Sequence, residues 1–188
     1  MIVEIDEIVN GCKSGDRKSQ NSLVRMFAPR LMTVCKRYCP DEEHARDALQ
    51  ETFINAFRYI HALREPKAID SWIRRIAVSS CISMHRRRQM PVFDEVVPES
   101  DILEAQIPAI YSQLSVEELM GMIKELPKTM ALVFNLYVVE GYSHQEIADL
   151  LHIQESTSRA HLMRARLKLI DMMHNENESV ELRMAKSG

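Results

Sequence analysis

"YSHQEIADLLHIQESTSRAHLMRARLKL", residues 142–169, places two helix starts and a row of arginines within 28 residues. Ser143 and Glu146 have the S-x-x-E spacing of a capping box, so a helix is expected to begin at His144. Ile147, Ala148, Leu150 and Leu151 give it an apolar face, and the small Ala148 lets a second helix approach closely. Just upstream, Gly141 follows an apolar helix and supplies the left-handed closing conformation. "HIQE" reads as a short turn with Ile153 filling the angle. Ser156 or Glu155 then caps a helix whose inward face is Ser158, Leu162, Ala165 and Leu169. Two helices on a tight turn, the second basic on its outer side, predict a helix-turn-helix.

The charge pattern gives that motif a purpose. Between Ser156 and Ile170 there are four basic residues and no acid. A helix lying in the major groove runs close to many phosphates, where a carboxylate is costly and Arg or Lys is favoured. Residues at its leading end reach base edges, and Arg forms bidentate bonds to guanine there. Glu155, Ser156, Arg159, Ala160 and Met163 occupy that leading outer face, whereas Arg164, Arg166 and Lys168 come later and suit backbone phosphates. A solvated amphipathic helix is the plain alternative. The capping box, the turn and the one-signed charge together favour DNA.

The rest of the chain is consistent with this. Net charge is −3 over 188 residues, but it is distributed in blocks. Ser71 to Met90 holds five arginines and no acid, and Pro91 to Glu118 holds seven acids and no base. A hydrophobic fraction of 46% is enough for a packed core, while five glycines and 6% aromatics argue against a large β-sandwich. No run approaches the roughly 18 apolar residues of a membrane span, and "MIVEIDEIVNG" is acidic where a signal peptide is basic. A cytoplasmic protein without direct membrane insertion is expected.

Helical periods fill the first 90 residues. A short amphipathic segment closes at Ser14-Gly15. A second helix starts after Asp16 and contains Pro29, which is expected to kink or split it. A third, over about 42–61, follows the N-cap Asp41, and a fourth runs from about Ile69 to Arg88 with Trp72, Ile73, Ile76, Ala77 and Ile82 inward. Residues 91–114 have three prolines, clustered acids and no sustained period, and read as a flexible linker with a short helix around 101–106. Further helices are expected over 116–125, 128–140, 144–151 and 156–171, then a frayed polar tail over 172–188. The fold expected is all-α: a domain over 1–90, an acidic linker over 91–114 and a helix-turn-helix domain over 115–171. Cys12, Cys35, Cys39 and Cys81 are expected as free thiols, mostly in the core. Cys35, Cys39 and nearby His44 leave a metal site conceivable, but no CxxC or second ligand pair supports one.

"DALQETFINAFRYIHALREPKAIDSWIRRIAVSSCISMHRRRQ", residues 47–89, resembles region two of bacterial sigma factors. Together with "EIADLLHIQESTSRAHLMRARLKL" it resembles the extracytoplasmic-function (ECF) group, which keeps only regions two and four. The resemblance covers roughly residues 10–90 and 115–170. It implies that Asp47, Gln50, Glu51 and Phe53 dock on the clamp helices of the polymerase largest subunit. It implies that the loop Leu63 to Ala68, through Arg64, Glu65 and Lys67, captures a flipped base of the −10 element. Base flipping costs a few kcal/mol of unstacking and needs a pocket with edge contacts. Trp72, Arg74, Arg75, Ser79, Arg86, Arg87 and Arg88 then read or grip the opening strand, although packing of the sole Trp in the core is an equal reading. Glu155, Ser156, Arg159, Met163, Arg164, Arg166 and Lys168 meet the −35 element. Core RNA polymerase, promoter DNA and an anti-sigma factor are the implied partners.

Ser79 stands where many family members have Asn, Ser83 where Asp is frequent, Ser158 where Val is usual and His161 where a basic residue is common. The Ser158 hydroxyl, at an inward position, is expected to bond a backbone carbonyl. Two competing readings are weaker. A stand-alone regulator with a sensor domain has no need of the basic 71–90 helix. A hydrolase lacks support, since the seven histidines are scattered without H-E-x-x-H spacing, nucleophile elbow or phosphate-cradling loop. No cofactor, metal or catalytic chemistry of its own is expected of the chain.

Overall fold

The computed structural model describes residues 2–88 and 115–185, with side chains placed over 5–84, at 115 and over 118–174. Every regular element among them is a helix, and the chain divides into two compact units, Met1–Val92 and Phe93–Gly188. The 91–114 segment, with its expected short helix, lies outside the described residues.

The first unit packs four helices, α1 (Ile2–Lys13), α2 (Arg17–Tyr38), α3 (Glu42–Tyr59) and α4 (Ile69–Arg88). Between α1 and α2 the chain reverses at Gly15, whose φ of +80° is open to glycine without steric cost. Asp16 then caps α2, accepting from the Ser19 amide at 2.9 Å and the Ser19 hydroxyl at 2.7 Å. Gly11 lets the two helices meet, because a Cβ there would stand 2.0 Å from Ser19 Oγ. Pro29 neither splits nor ends α2, which runs unbroken through it. Leu23 and Phe27 on one side of Pro29, and Leu31, Val34 and Cys35 on the other, are all buried. Burial of two to three such side chains outweighs the roughly 3 kcal/mol that an internal proline costs a helix.

Asp41 caps α3 by accepting from the His44 amide at 2.9 Å. The helix buries Ala45, Ala48, Thr52, Phe53 and Ala56 on one side. It ends slightly earlier than expected, at Tyr59, and the chain tightens into a 3-10 turn over Ile60–Ala62. A second 3-10 turn, Pro66–Ala68, leads into α4. Ile69, Ile73, Ala77, Val78, Cys81 and Ile82 make the buried side of α4.

The second unit begins with α5 (Val116–Glu125), whose start is a full capping box between Ser115 and Glu118. After Pro127, α6 (Lys128–Phe134) does not continue as an α-helix to 140. It widens into one π turn, Asn135–Val139, closed by the Glu140 amide donating to the Asn135 carbonyl at 3.0 Å. Gly141 then takes φ +74°, and α7 (His144–Leu151) follows with the expected capping box of Ser143 and Glu146. His152 at φ 56° is left-handed and turns the chain into α8 (Glu155–Ala185). The helix starts at Glu155 rather than being capped by it, and the Gln154 carbonyl accepts from the Ser158 amide at 3.1 Å. It also runs past the expected end at 171, because Met173 extends the buried row of Ser158, Leu162, Ala165 and Leu169.

Candidate nucleic-acid interface

Three exposed surfaces coincide with the residues singled out in the sequence. The first is on α8. Ser158 at 0% exposure, Leu162, Ala165 and Leu169 hold the helix to the unit core, which fixes which side faces away. Ser156, Arg159 and Lys168 are exposed, Glu155 and Met163 are half-buried, and Ala160 is buried. Arg159 forms an ion pair with Glu155 one turn earlier, so two candidate base readers are held together. Arg164 is half-buried. Arg166 is half-buried as well, its guanidinium carbon 6.0 Å from the Tyr137 ring centroid, and packs on its own unit while the outer cations project.

Behind this surface is a polar contact that the sequence reading placed elsewhere. Ser158 Oγ does not bond a backbone carbonyl; it lies 2.9 Å from Nδ1 of buried His144. The reason is position: the first turns of α7 and α8 face each other, which brings the Ser158 hydroxyl to the imidazole. The π turn contributes by laying Tyr137 on the His144 ring, with centroids 4.4 Å apart. Burial, followed by Arg159 and Arg166, pushes the His144 pKa down, and Glu155 opposes them.

The second surface is the loop between α3 and α4. It is pinned from inside, with Leu63 at 3% exposure and its carbonyl accepting from Lys13 Nζ at 2.8 Å. The Ala68 amide donates to the Glu65 carbonyl at 3.0 Å, and Ser71 Oγ donates to the Ala68 carbonyl at 3.1 Å. On this fixed backbone Arg64, Glu65 and Lys67 are all exposed. Following it on α4, Trp72 is half-buried, with Arg75 and Ser79 exposed along the same side. Arg74 points differently and is half-buried. Arg86, Arg87 and Arg88 close α4, and their side chains lie outside the described residues.

The third surface is the side of α3 opposite its buried row. Asp47 and Gln50 are exposed, and Glu51 is half-buried and accepts from Asn55 Nδ2 at 3.3 Å. Phe53 is not on this side: it is 8% exposed and its ring stacks on Phe57 at 6.2 Å. Ile54, 45% exposed, occupies the next turn of the Asp47–Gln50–Glu51 row and was missed in the sequence. Its signal is an apolar residue out of phase with the buried stripe. Among the described residues no helix is long and apolar enough to cross a membrane, and no group of three or more His, Cys, Asp or Glu side chains is arranged to hold a metal ion.

A two-unit helical chain with a helix-turn-helix in one unit has the architecture of a DNA-binding protein. Residues 23–90 match the model of Sigma-70 region 2 and residues 116–169 that of Sigma-70, region 4, so the chain belongs to the sigma-70 family, in its ECF group. Similar proteins include the ECF RNA polymerase sigma-E factors of Escherichia coli K12 and Salmonella typhimurium. Each is 28% identical over 170 residues, covering 85% of this chain and 88% of theirs. The RNA polymerase sigma-H factor of Pseudomonas aeruginosa is 26% identical over 172 residues, with 85% and 89% covered. Among solved structures, CnrH in complex with the cytosolic domain of CnrY matches with a TM-score of 0.51 at 18% identity, covering 92% of this chain and 98% of that one. The sigma factor RpoE in complex with the anti-sigma factor NepR from Bartonella quintana also gives 0.51, at 20% identity, covering 82% and 96%.

Proposed function

We propose that the chain binds core RNA polymerase through the outer side of α3 and directs it to promoters carrying two separated elements. Asp47, Gln50, Glu51 and Ile54 form the docking row, an acidic and polar strip with one apolar contact that suits a basic helical partner. Phe53 serves it from inside by anchoring α3. The loop residues Arg64, Glu65 and Lys67 take the flipped base of the −10 element, and Trp72, Arg75 and Ser79 follow the opened strand. Arg74 and the Arg86–Arg88 run contact phosphate. Glu155, Ser156 and Arg159 read the −35 element; Met163 borders it, and Arg164 and Lys168 hold its backbone. Arg166 acts mainly by fixing Tyr137 beneath that helix.

The observation that carries this reading is the pinned loop. Its backbone is tied to the core at Leu63 while three polar side chains stand exposed, which is the preorganisation that an extruded base requires. The polymerase does the chemistry of transcription. RpoE is found in complex with the anti-sigma factor NepR, and this chain is likewise controlled by an anti-sigma protein.

The test is binding of the purified protein to core polymerase, with Glu51→Arg as the probe. The wild type binds and the variant binds at least tenfold more weakly while keeping its helical content. Equal binding by both removes α3 from the docking role, and no binding by the wild type removes the function.

A further inference from the structure

The loop between α3 and α4 is held by a helix that lies outside the region-2 match. Residues 23–90 carry that match, and α1 (Ile2–Lys13) precedes them. α1 nevertheless packs on α2 and on both 3-10 turns between α3 and α4, Ile60–Ala62 and Pro66–Ala68. Its end is a firm base. The Ser14, Asp16 and Gly15 amides close on the Asn10, Gly11 and Cys12 carbonyls at 3.0, 2.9 and 3.1 Å, and Ser14 Oγ donates to the Gly11 carbonyl at 2.9 Å. From the last residue of α1, Lys13 reaches 50 positions along the sequence and donates from Nζ to the Leu63 carbonyl at 2.8 Å.

The place where this bond lands matters. The Leu63 carbonyl belongs to the planar peptide unit whose nitrogen is that of Arg64. Holding that plane sets the direction in which the chain leaves Leu63, and so where exposed Arg64 and Glu65 project. The other side of Leu63 is tied as well: its amide donates to the Ile60 carbonyl at 3.2 Å, and its side chain is buried. An ammonium donor makes a charge-assisted bond, stronger than one between neutral groups, and Lys13 makes it half-buried.

We propose, on the base-capture reading of this loop, that Lys13 is a positioning residue for the −10 element. It acts without touching DNA, by holding the Leu63–Arg64 peptide in the orientation that leaves Arg64, Glu65 and Lys67 open to the extruded base. Without the bond the Leu63 carbonyl loses its partner, and the chain from Leu63 to Glu65 gains other orientations. Apparent affinity for the base then falls by the fraction of time the loop is competent. The loss attaches to the captured base, because the bond ends on the peptide that leads into Arg64.

The experiment uses holoenzyme assembled with the full-length chain, and a fluorescent non-template strand spanning the −10 element of a promoter it directs. An abasic site is stepped through that element, and the wild type loses affinity at the captured position. Lys13→Met is expected to bind the intact strand about tenfold more weakly, the size of one charge-assisted hydrogen bond. On the strand abasic at the captured position the two proteins bind alike, since no base is left to capture. Binding to core polymerase and the salt slope stay those of the wild type. Equal losses on intact and abasic strands make Lys13 a general support of the fold. A salt slope lower by about 1 makes it a phosphate contact, and full affinity in the variant gives it no role. Each of these overturns the assignment. Should Lys13→Met lose helical content, Lys13→Gln enters the same comparison. If no abasic position weakens the wild type, base capture by this loop fails, and the role of Lys13 fails with it.

Discussion

His144 Nδ1 lies 2.9 Å from Ser158 Oγ, so the first turns of the two helices of the helix-turn-helix are joined by a buried side-chain hydrogen bond. Removing one partner leaves the other desolvated and unpaired, a cost of about 1–3 kcal/mol. Ser158→Ala is therefore expected to destabilise the second unit by that amount and leave the first unit alone. Hydrogen exchange reads this locally: α7 and α8 amides lose protection, and α2 and α3 amides do not. Equal loss in both units would mean that the bond has no local role.

The same histidine gives a pH dependence with a definite sign. Burial, then Arg159 and Arg166, hold its pKa below the ordinary imidazole value of 6.5. The folded unit binds the proton less readily than the unfolded chain, so its contribution is fully present above 6.5 and is lost as pH falls below it. Urea unfolding of the second unit is expected to weaken between pH 7 and pH 5.5, and His144→Gln flattens that slope. A slope unchanged by the substitution assigns the proton to another group.

Close packing of α1 on α2 makes Gly11 a stringent position. An added methyl would lie 2.0 Å from Ser19 Oγ and 2.6 Å from Ser19 Cβ, and the second atom is not the free end of a side chain. Gly11→Ala is expected to cost about 1–3 kcal/mol, although alanine is the better helix former by about 1 kcal/mol. Thermal unfolding decides: a raised midpoint contradicts the crossing.

On the recognition helix, exposed Arg159 and exposed Lys168 are assigned different work. Arg159→Ala is expected to lose about 1–3 kcal/mol of discrimination at one base position, because a bidentate contact to a base edge disappears. Lys168→Ala weakens binding to all sequences alike and lowers the salt slope by about 1, the signature of one lost phosphate contact. Binding titrations of the holoenzyme on a base-substituted promoter series at several salt concentrations separate the two. Uniform loss for both variants means that the reading end of α8 is misassigned.

Much of the fold was legible because helix ends are written locally. Asp41 and the Ser143–Glu146 pair each cap the helix they were expected to cap, and α2 starts after Asp16 as expected, since each acceptor and its amide are only three residues apart. What depends on tertiary neighbours was not legible. The π turn at Asn135–Val139 looks like an ordinary apolar helix in sequence, and its purpose becomes visible only when Tyr137 is seen on His144. Pro29 inside α2 is tolerated because apolar contacts on both sides outweigh it. In the candidate site, exposed Arg64, Glu65 and Lys67 followed from their loop position, whereas Arg166 turned inward because Tyr137 is there to receive it. Phe53 is inside and Ile54 outside for a simple reason: adjacent helical residues point 100° apart, and Phe53 shares the buried row of Ala45, Ala48, Thr52 and Ala56.

The most direct measurement maps transcription starts made on the organism's genomic DNA by core polymerase with and without the purified protein. The account predicts a discrete set of new starts, each preceded by the same two short elements at a fixed separation, and loss of that set with Glu51→Arg. A start pattern identical to that of core polymerase alone would contradict it.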